Sequence, residues 1–255
     1  MPHALAFAAA LDAEKQKQRR EHEQRGGEDR HELVHRQSAL LRRSGQRHLR
    51  ERGTGLGKAL KIIGRPVRPR IPVWIASLGE KNVAMTAELA DGWIPMLYVP
   101  EKAHLVWGAA LAEGAARRDP ALGTLQITTG GIVAIGEGDD VRALRDLARP
   151  MVALYVGGMG AKGKNFYNDV VRRYGYEELA EKIQDLYLDG KKAEAEALVP
   201  DDLLESMSLC GPESYVAERI AAFKEAGVTH LQVAPVPTGD QTATDIVGKV
   251  KELIG

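Results

Sequence analysis

Ile71-Pro72-Val73-Trp74-Ile75-Ala76-Ser77-Leu78-Gly79-Glu80-Lys81-Asn82-Val83 is the stretch whose reading decides the fold. Its first six residues form a short continuous apolar run, the pattern of a strand buried on both faces, and Ser77-Leu78-Gly79 turns the chain. Glu80 to Ala90 then carries Val83, Thr86, Ala87 and Ala90 on one helical face, and Asp91-Gly92 ends the helix. Trp93 to Val99 is a second apolar run, so residues 71–99 read as a βαβ unit with parallel strands.

The same alternation continues downstream. A helix is expected over 101–117, a third strand over Leu125 to Ile135, and a helix capped by Asp139 or Asp140 that runs to about Ala148. Residues 150–210 read as mostly helical, with turns at Gly157 to Gly163 and at Asp189-Gly190. Gly211-Pro212-Glu213 opens a helix whose Val216, Ile220 and Phe223 share a face and which Gly227 closes. Val228 to Val236 is the fourth strand, and Asp245 to Ile254 a last helix. Alternating strands and helices predict an α/β fold with a helix-covered parallel sheet. About four βα units are too few to close a barrel.

Upstream of Gly53 the chain has another character. Residues 1–52 hold 12 Lys/Arg against 8 Asp/Glu and five of the seven histidines, and Glu14 to Glu32 contains no aliphatic residue and no Phe, Tyr or Trp. Such a stretch has nothing to bury, which predicts a disordered or non-native segment over 1–52 and a folded domain over 53–255. The run Ala4 to Leu11 lacks the preceding basic residue of a signal peptide. No apolar run reaches the ~18 residues that cross a bilayer. The 35 basic residues balance the 35 acidic ones, which argues against bulk-charge binding to nucleic acid or membrane. The single cysteine, Cys210, excludes an internal disulfide and makes the cytoplasm the expected compartment.

Several motifs compete as sites. His31-Glu32-Leu33-Val34-His35 matches the zinc-protease spacing, but no convincing third ligand follows and little apolar residue supports a dry cleft, so no metal is expected. Gly158-x-Gly160-x-x-Gly163 has the letters of a dinucleotide fingerprint, with Glu181 or Asp185 at the distance of a ribose-binding acid. Gly158 to Lys164 also resembles a P-loop in which Asn165 replaces the required hydroxyl. Both sit mid-chain with no turn before the apolar run Met151 to Val156, so a glycine loop at a pocket mouth is the preferred reading. Ser77-Leu78-Gly79-Glu80 is the better anion candidate, because it joins a strand's C-terminal end to a helix N-terminus. A plain βα turn with a Ser cap is the equal alternative. Cys210 reads as a buried structural thiol, His104 and His230 as surface or packed residues, and Trp74, Trp93 and Tyr98 as packing.

Gly53 to Gly57 with Lys58, Pro72 to Val83, Ala90-Asp91-Gly92-Trp93-Ile94-Pro95, Gly157-Gly158-Met159-Gly160 with Asn165-Phe166-Tyr167-Asn168-Asp169, and Gly211 to Pro235 together resemble the luciferase-like monooxygenase superfamily, above all its deazaflavin-dependent oxidoreductases. The resemblance covers about 200 residues and is specific in combination. It implies a (β/α)8 TIM-barrel type with a helical insertion, here incomplete, that binds coenzyme F420, or FMN in relatives, at the C-terminal strand ends. It further implies hydride transfer between the deazaflavin and a small organic substrate, with Ala76, Ser77, Leu78 and Gly79 holding the cofactor phosphate. No catalytic acid or base is assigned.

Family members usually carry some 150 residues before the stretch beginning at Gly53, whereas residues 1–52 show no resemblance to the family. One expectation is therefore a truncated or frame-shifted product, inactive without its first barrel strands. Alternatives are a non-enzymatic remnant or assembly partner, whose homo-oligomer covers exposed sheet edges, and an FMN-dependent monooxygenase.

Overall fold

The computed structural model describes residues 70–255. The expected 1–52 segment and the His31 to His35 match lie outside the described residues. Pro72–Gly255 packs as one unit. Strand β1 (Trp74–Ala76) leads through a tight turn into helix α1 (Glu80–Leu89), β2 (Gly92–Ile94) into α2 (Ala103–Arg117), and a 3-10 turn at Pro120–Leu122 precedes the long β3 (Gln126–Ile135). An insertion of helices follows: α3 (Asp139–Ala143) continued by a 3-10 turn (Leu144–Ala148), α4 (Arg149–Gly158), α5 (Phe166–Arg173), α6 (Glu177–Leu188), α7 (Lys192–Ala197) and α8 (Asp201–Ser206). The chain returns as β4 (Leu209–Gly211), α9 (Glu213–Glu225), β5 (His230–Pro235) and α10 (Ala243–Ile254).

All strand pairs are parallel, as the βα alternation predicts. β3 organises the sheet because it is long enough to be shared. Gln126 and Ile127 pair with β2, Thr128 to Val133 with β5, and Val133 to Ile135 with β4. Val133 pairs with both Leu209 and Pro235, so β4 and β5 lie on opposite edges of β3. Ile75, Trp93, Ile127, Leu231 and Val233 point to the helical layer by the alternation of strand side chains. Trp74, Gly92, Gln126 and His230 share the other face, where the Trp74 ring covers Gly92 and meets the His230 ring edge-on at 5.3 Å.

Helix faces follow the predicted spacing. Val83, Thr86, Ala87 and Ala90 are buried, as are Val216, Ile220 and Phe223. α1 and α2 approach closely at Gly114, where a Cβ would lie 2.2 Å from the Ala84 carbonyl oxygen. Thr242 and Asp245 form a reciprocal capping box on α10.

Four expectations need correction. The first apolar run is not buried on both faces: Ile71 and Val73 are 77% and 52% exposed, and only Trp74–Ala76 are in the ladder. The second strand stops at Ile94, because Pro95 has no N–H to continue the ladder and Leu97 takes a left-handed φ of 54°. Neither Asp139 nor Asp140 caps α3: Gly138 is the N-cap and the two acids are the first helical residues, where they still favour the helix dipole. The segment 150–210 holds, besides helices, the three-residue β4, so the described residues contain five strands, not four. No helix among the described residues is long and apolar enough to cross a membrane.

Candidate functional site

The turn between β1 and α1 is fixed from beneath by two indoles. Trp93, from β2, donates its Nε1–H to the Ser77 carbonyl at 2.9 Å, and Trp107, from α2, donates to the Leu78 carbonyl at 3.0 Å. Both rings are fully buried, and Tyr98 stacks on Trp107 with centroids 5.8 Å apart. In a trans peptide the N–H points opposite to the carbonyl of the same unit. Holding the Ser77 and Leu78 carbonyls in the core therefore turns the N–H groups of Leu78 and Gly79 outward. α1 begins immediately after them, and its first internal bond is Val83 N–H to Gly79 C=O, so the N–H groups of Glu80, Lys81 and Asn82 have no partner within the helix. A row of outward donors at the positive end of a helix dipole has the chemistry to cradle an anion.

Ser77 does not act as the helix cap. Gly79 occupies that position with no side-chain cap bond. The Ser77 hydroxyl lies 2.9 Å from the Thr86 hydroxyl, which itself donates to the Asn82 carbonyl at 2.7 Å. Thr86 has spent its proton, so Ser77 donates inward and leaves its lone pairs, not a proton, toward the turn. The backbone therefore supplies the donors here. Ala76, the last residue of β1, is exposed.

The insertion closes over this end of the sheet through α5. Phe166, its first residue, lays its ring beside Gly79. Arg173, its last, pairs with Glu80 at 2.9 Å and donates to the Leu105 carbonyl at 3.0 Å, which neutralises the acid nearest the cradle. Tyr174 follows, donates its hydroxyl to the Leu97 carbonyl at 2.9 Å and accepts from the Val99 N–H at 3.3 Å, which holds the left-handed Leu97 in place. Burial pushes the Tyr174 phenol well above its ordinary range and that of Tyr98 up to about 12, so both are neutral donors at any physiological pH.

α5 is in turn rooted by Asn165. Its side chain, 1% exposed, accepts from the N–H groups of Tyr167 and Asn168 at 3.0 and 3.2 Å and donates to the carbonyls of Tyr155 and Val156, each at 2.9 Å. One amide thus caps the start of α5 and the end of α4 together. Residue reading alone treated Asn165 as a failed P-loop hydroxyl and missed this role, although Asn before an amphipathic helix is itself an N-cap signal.

The other motifs separate from the turn or dissolve. Met151 to Val156 is helical, so the glycine fingerprint lacks the strand that it requires. Gly157 and Gly158 belong to α4, where a Cβ would lie 2.4 and 2.6 Å from Tyr187, so they serve helix packing and not a loop at a pocket mouth. Cys210 is buried on β4 with its thiol raised to about 11 by burial. His104 lines a groove of about 580 Å³ between α2 and α9 on the helical side. His230 opens β5 at the opposite end of the strands from the turn, in contact with Trp74 and 2.9 Å from the Thr229 hydroxyl. No cluster of metal-ligating side chains occurs among the described residues.

The luciferase-like monooxygenase model matches residues 8–230. The match starts within residues 1–52. The chain is 38% identical over 180 residues to a Mycobacterium tuberculosis protein named for coenzyme F420-dependent oxidoreduction, Rv3520c, covering 71% of this chain and 52% of the relative. It is 26% identical over 188 residues to a 5,10-methylenetetrahydromethanopterin reductase of Archaeoglobus fulgidus, covering 70% and 53%. In fold it is similar to the coenzyme F420 dependent tetrahydromethanopterin reductase from Methanopyrus kandleri, with a TM-score of 0.50 at 24% identity over 69% of this chain and 48% of that one. The chain spans about half the length of the curated relatives it matches. Family match, identity and parallel α/β architecture agree, and the chain belongs to the luciferase-like monooxygenase family.

Proposed function

We propose that the chain works in F420-dependent oxidoreduction, with the turn Ala76, Ser77, Leu78 and Gly79 holding the cofactor's phosphate. The observation that carries this is the pair of indole bonds from Trp93 and Trp107, which aim the Leu78 and Gly79 N–H groups away from the core at the start of α1. The donor set fits the group: preoriented backbone N–H groups bind a phosphate without reorganising, and here no acidic side chain is left unpaired beside them. F420 is favoured over FMN because the Mycobacterium tuberculosis relative and the Methanopyrus kandleri structure are both named for coenzyme F420. When bound, the deazaflavin supplies a ring carbon that takes up or gives hydride to a small organic substrate. The chain's part is to hold and orient. The turn would anchor the phosphate end of the cofactor, Phe166 of the insertion helix α5 stands beside that turn, and the Tyr174 hydroxyl fixes the loop after β2. The compartment proposed is the cytoplasm, consistent with a single, buried, protonated thiol.

Titration of the full chain with F420, followed by coenzyme fluorescence, tests the reading. Saturable binding is expected, with competition by phosphate esters. Absence of binding at high protein concentration would remove it. A second reading, a non-enzymatic assembly partner, is favoured by the exposed Ile71 and Val73 leading into β1 at the end of the strand order. It predicts a self-associated species by size exclusion that binds no F420.

A further inference from the structure

Gly79 poses a question that its backbone does not answer. Its torsions, φ −69° and ψ 139°, suit any L residue, so no turn requirement explains the glycine. What a side chain would meet there is Phe166: a Cβ on Gly79 would lie 3.0 Å from Cε1, 3.5 Å from Cδ1 and 3.6 Å from Cζ of the ring. Phe166 is nevertheless 61% exposed, an unusual state for a large aromatic residue whose root is so firmly placed. The preceding Asn165 fixes that root with four hydrogen bonds. The insertion therefore delivers an aromatic ring to the outer side of the anion cradle, touches the cradle's central residue with one edge, and leaves the rest of the ring open.

We infer that Phe166 is a positioning residue, the apolar wall against which the organic part of a phosphate ester packs while its phosphate rests on the Leu78 and Gly79 N–H groups. The inference rests on the proposed function and adds a selectivity to it. A ring beside the cradle excludes water from that side, which strengthens the N–H to phosphate bonds, and it offers surface to a carbon chain that inorganic phosphate lacks. The site accordingly takes phosphate esters or diesters in preference to free phosphate. Gly79 is then glycine so that the ring can come close without covering the outward N–H groups.

A four-member set decides: the unsubstituted chain, Phe166→Ala, Gly79→Ala and the double variant, each titrated with F420 and, in competition, with inorganic phosphate. Phe166→Ala is expected to weaken F420 binding about tenfold, the scale of one partly buried aromatic contact, with no change in thermal midpoint and no change in competition by inorganic phosphate. Gly79→Ala is expected to weaken binding by pushing the ring, and the double variant to bind no worse than Phe166→Ala alone. Unchanged affinity in Phe166→Ala, or losses that multiply in the double variant, would overturn the inference while leaving the phosphate cradle standing. No F420 binding by the unsubstituted chain would instead overturn the functional reading and this inference with it.

Discussion

Trp107→Phe is expected to lower F420 affinity at least tenfold and to destabilise the fold by about 2 kcal/mol, the cost of leaving one buried carbonyl without a donor. The substitution keeps an aromatic ring in a fully buried position, so the stack on Tyr98 survives in large part. What it removes is the Nε1–H that holds the Leu78 carbonyl at 3.0 Å. Freed from that bond, the Leu78–Gly79 peptide is no longer forced to present its N–H outward, and the cradle loses its preorientation. Tyr98→Phe is the control. It deletes a bond from the same aromatic group to the Ala226 carbonyl, 2.9 Å, which has no connection to the turn. It should reduce stability and leave F420 affinity unchanged. Chemical denaturation and fluorescence titration on the two variants separate the packing role of the cluster from its aim at the turn.

Asn165→Ala should be the most destabilising polar substitution in the described residues, by about 2–4 kcal/mol. The side chain serves four backbone groups at once, two carbonyls closing α4 and two N–H groups opening α5. Alanine removes the side-chain partner of the Tyr155 carbonyl and of the Tyr167 and Asn168 N–H groups, while the Val156 carbonyl keeps the Asn168 amide at 3.1 Å, and no water-filled space replaces a side chain that is 1% exposed. Asn165→Asp keeps the two acceptor contacts but sets a carboxylate oxygen against two carbonyl oxygens in a site that is 1% exposed, so it should be no more stable than alanine. Urea midpoints measure the order. Because α5 carries Phe166 and leads to Tyr174, both variants should also weaken F420 binding, through position and not through contact.

What the residues alone revealed follows from the range of each interaction. The βα order was legible because each unit carries its own apolar spacing: Val83, Thr86, Ala87 and Ala90 mark one buried helix face, and Val216, Ile220 and Phe223 another. β4 was not legible, since Leu209-Cys210-Gly211 is too short for a period and is a strand only because the far end of β3 offers it an edge. Pro95 carried a stop signal that the apolar run Trp93 to Val99 obscured. The turn Ser77-Leu78-Gly79 was readable as an anion candidate from its place between strand and helix. Its anchoring was not, because Trp93 and Trp107 lie 16 and 29 residues from the carbonyls that they hold. The glycines at 157 and 158 misled for the same reason: the residue that demands them, Tyr187, sits on another helix.

The central claim is that the N–H groups after β1 receive the cofactor's phosphate. Amide proton–nitrogen NMR spectra of the full chain, recorded through an F420 titration, read those groups one by one. The account predicts that the Leu78, Gly79 and Glu80 amides and the Trp93 and Trp107 indole N–H signals shift most, with saturation at the affinity found by fluorescence. Saturable binding that leaves these five signals in place and moves those of Gly158 to Lys164 would contradict it.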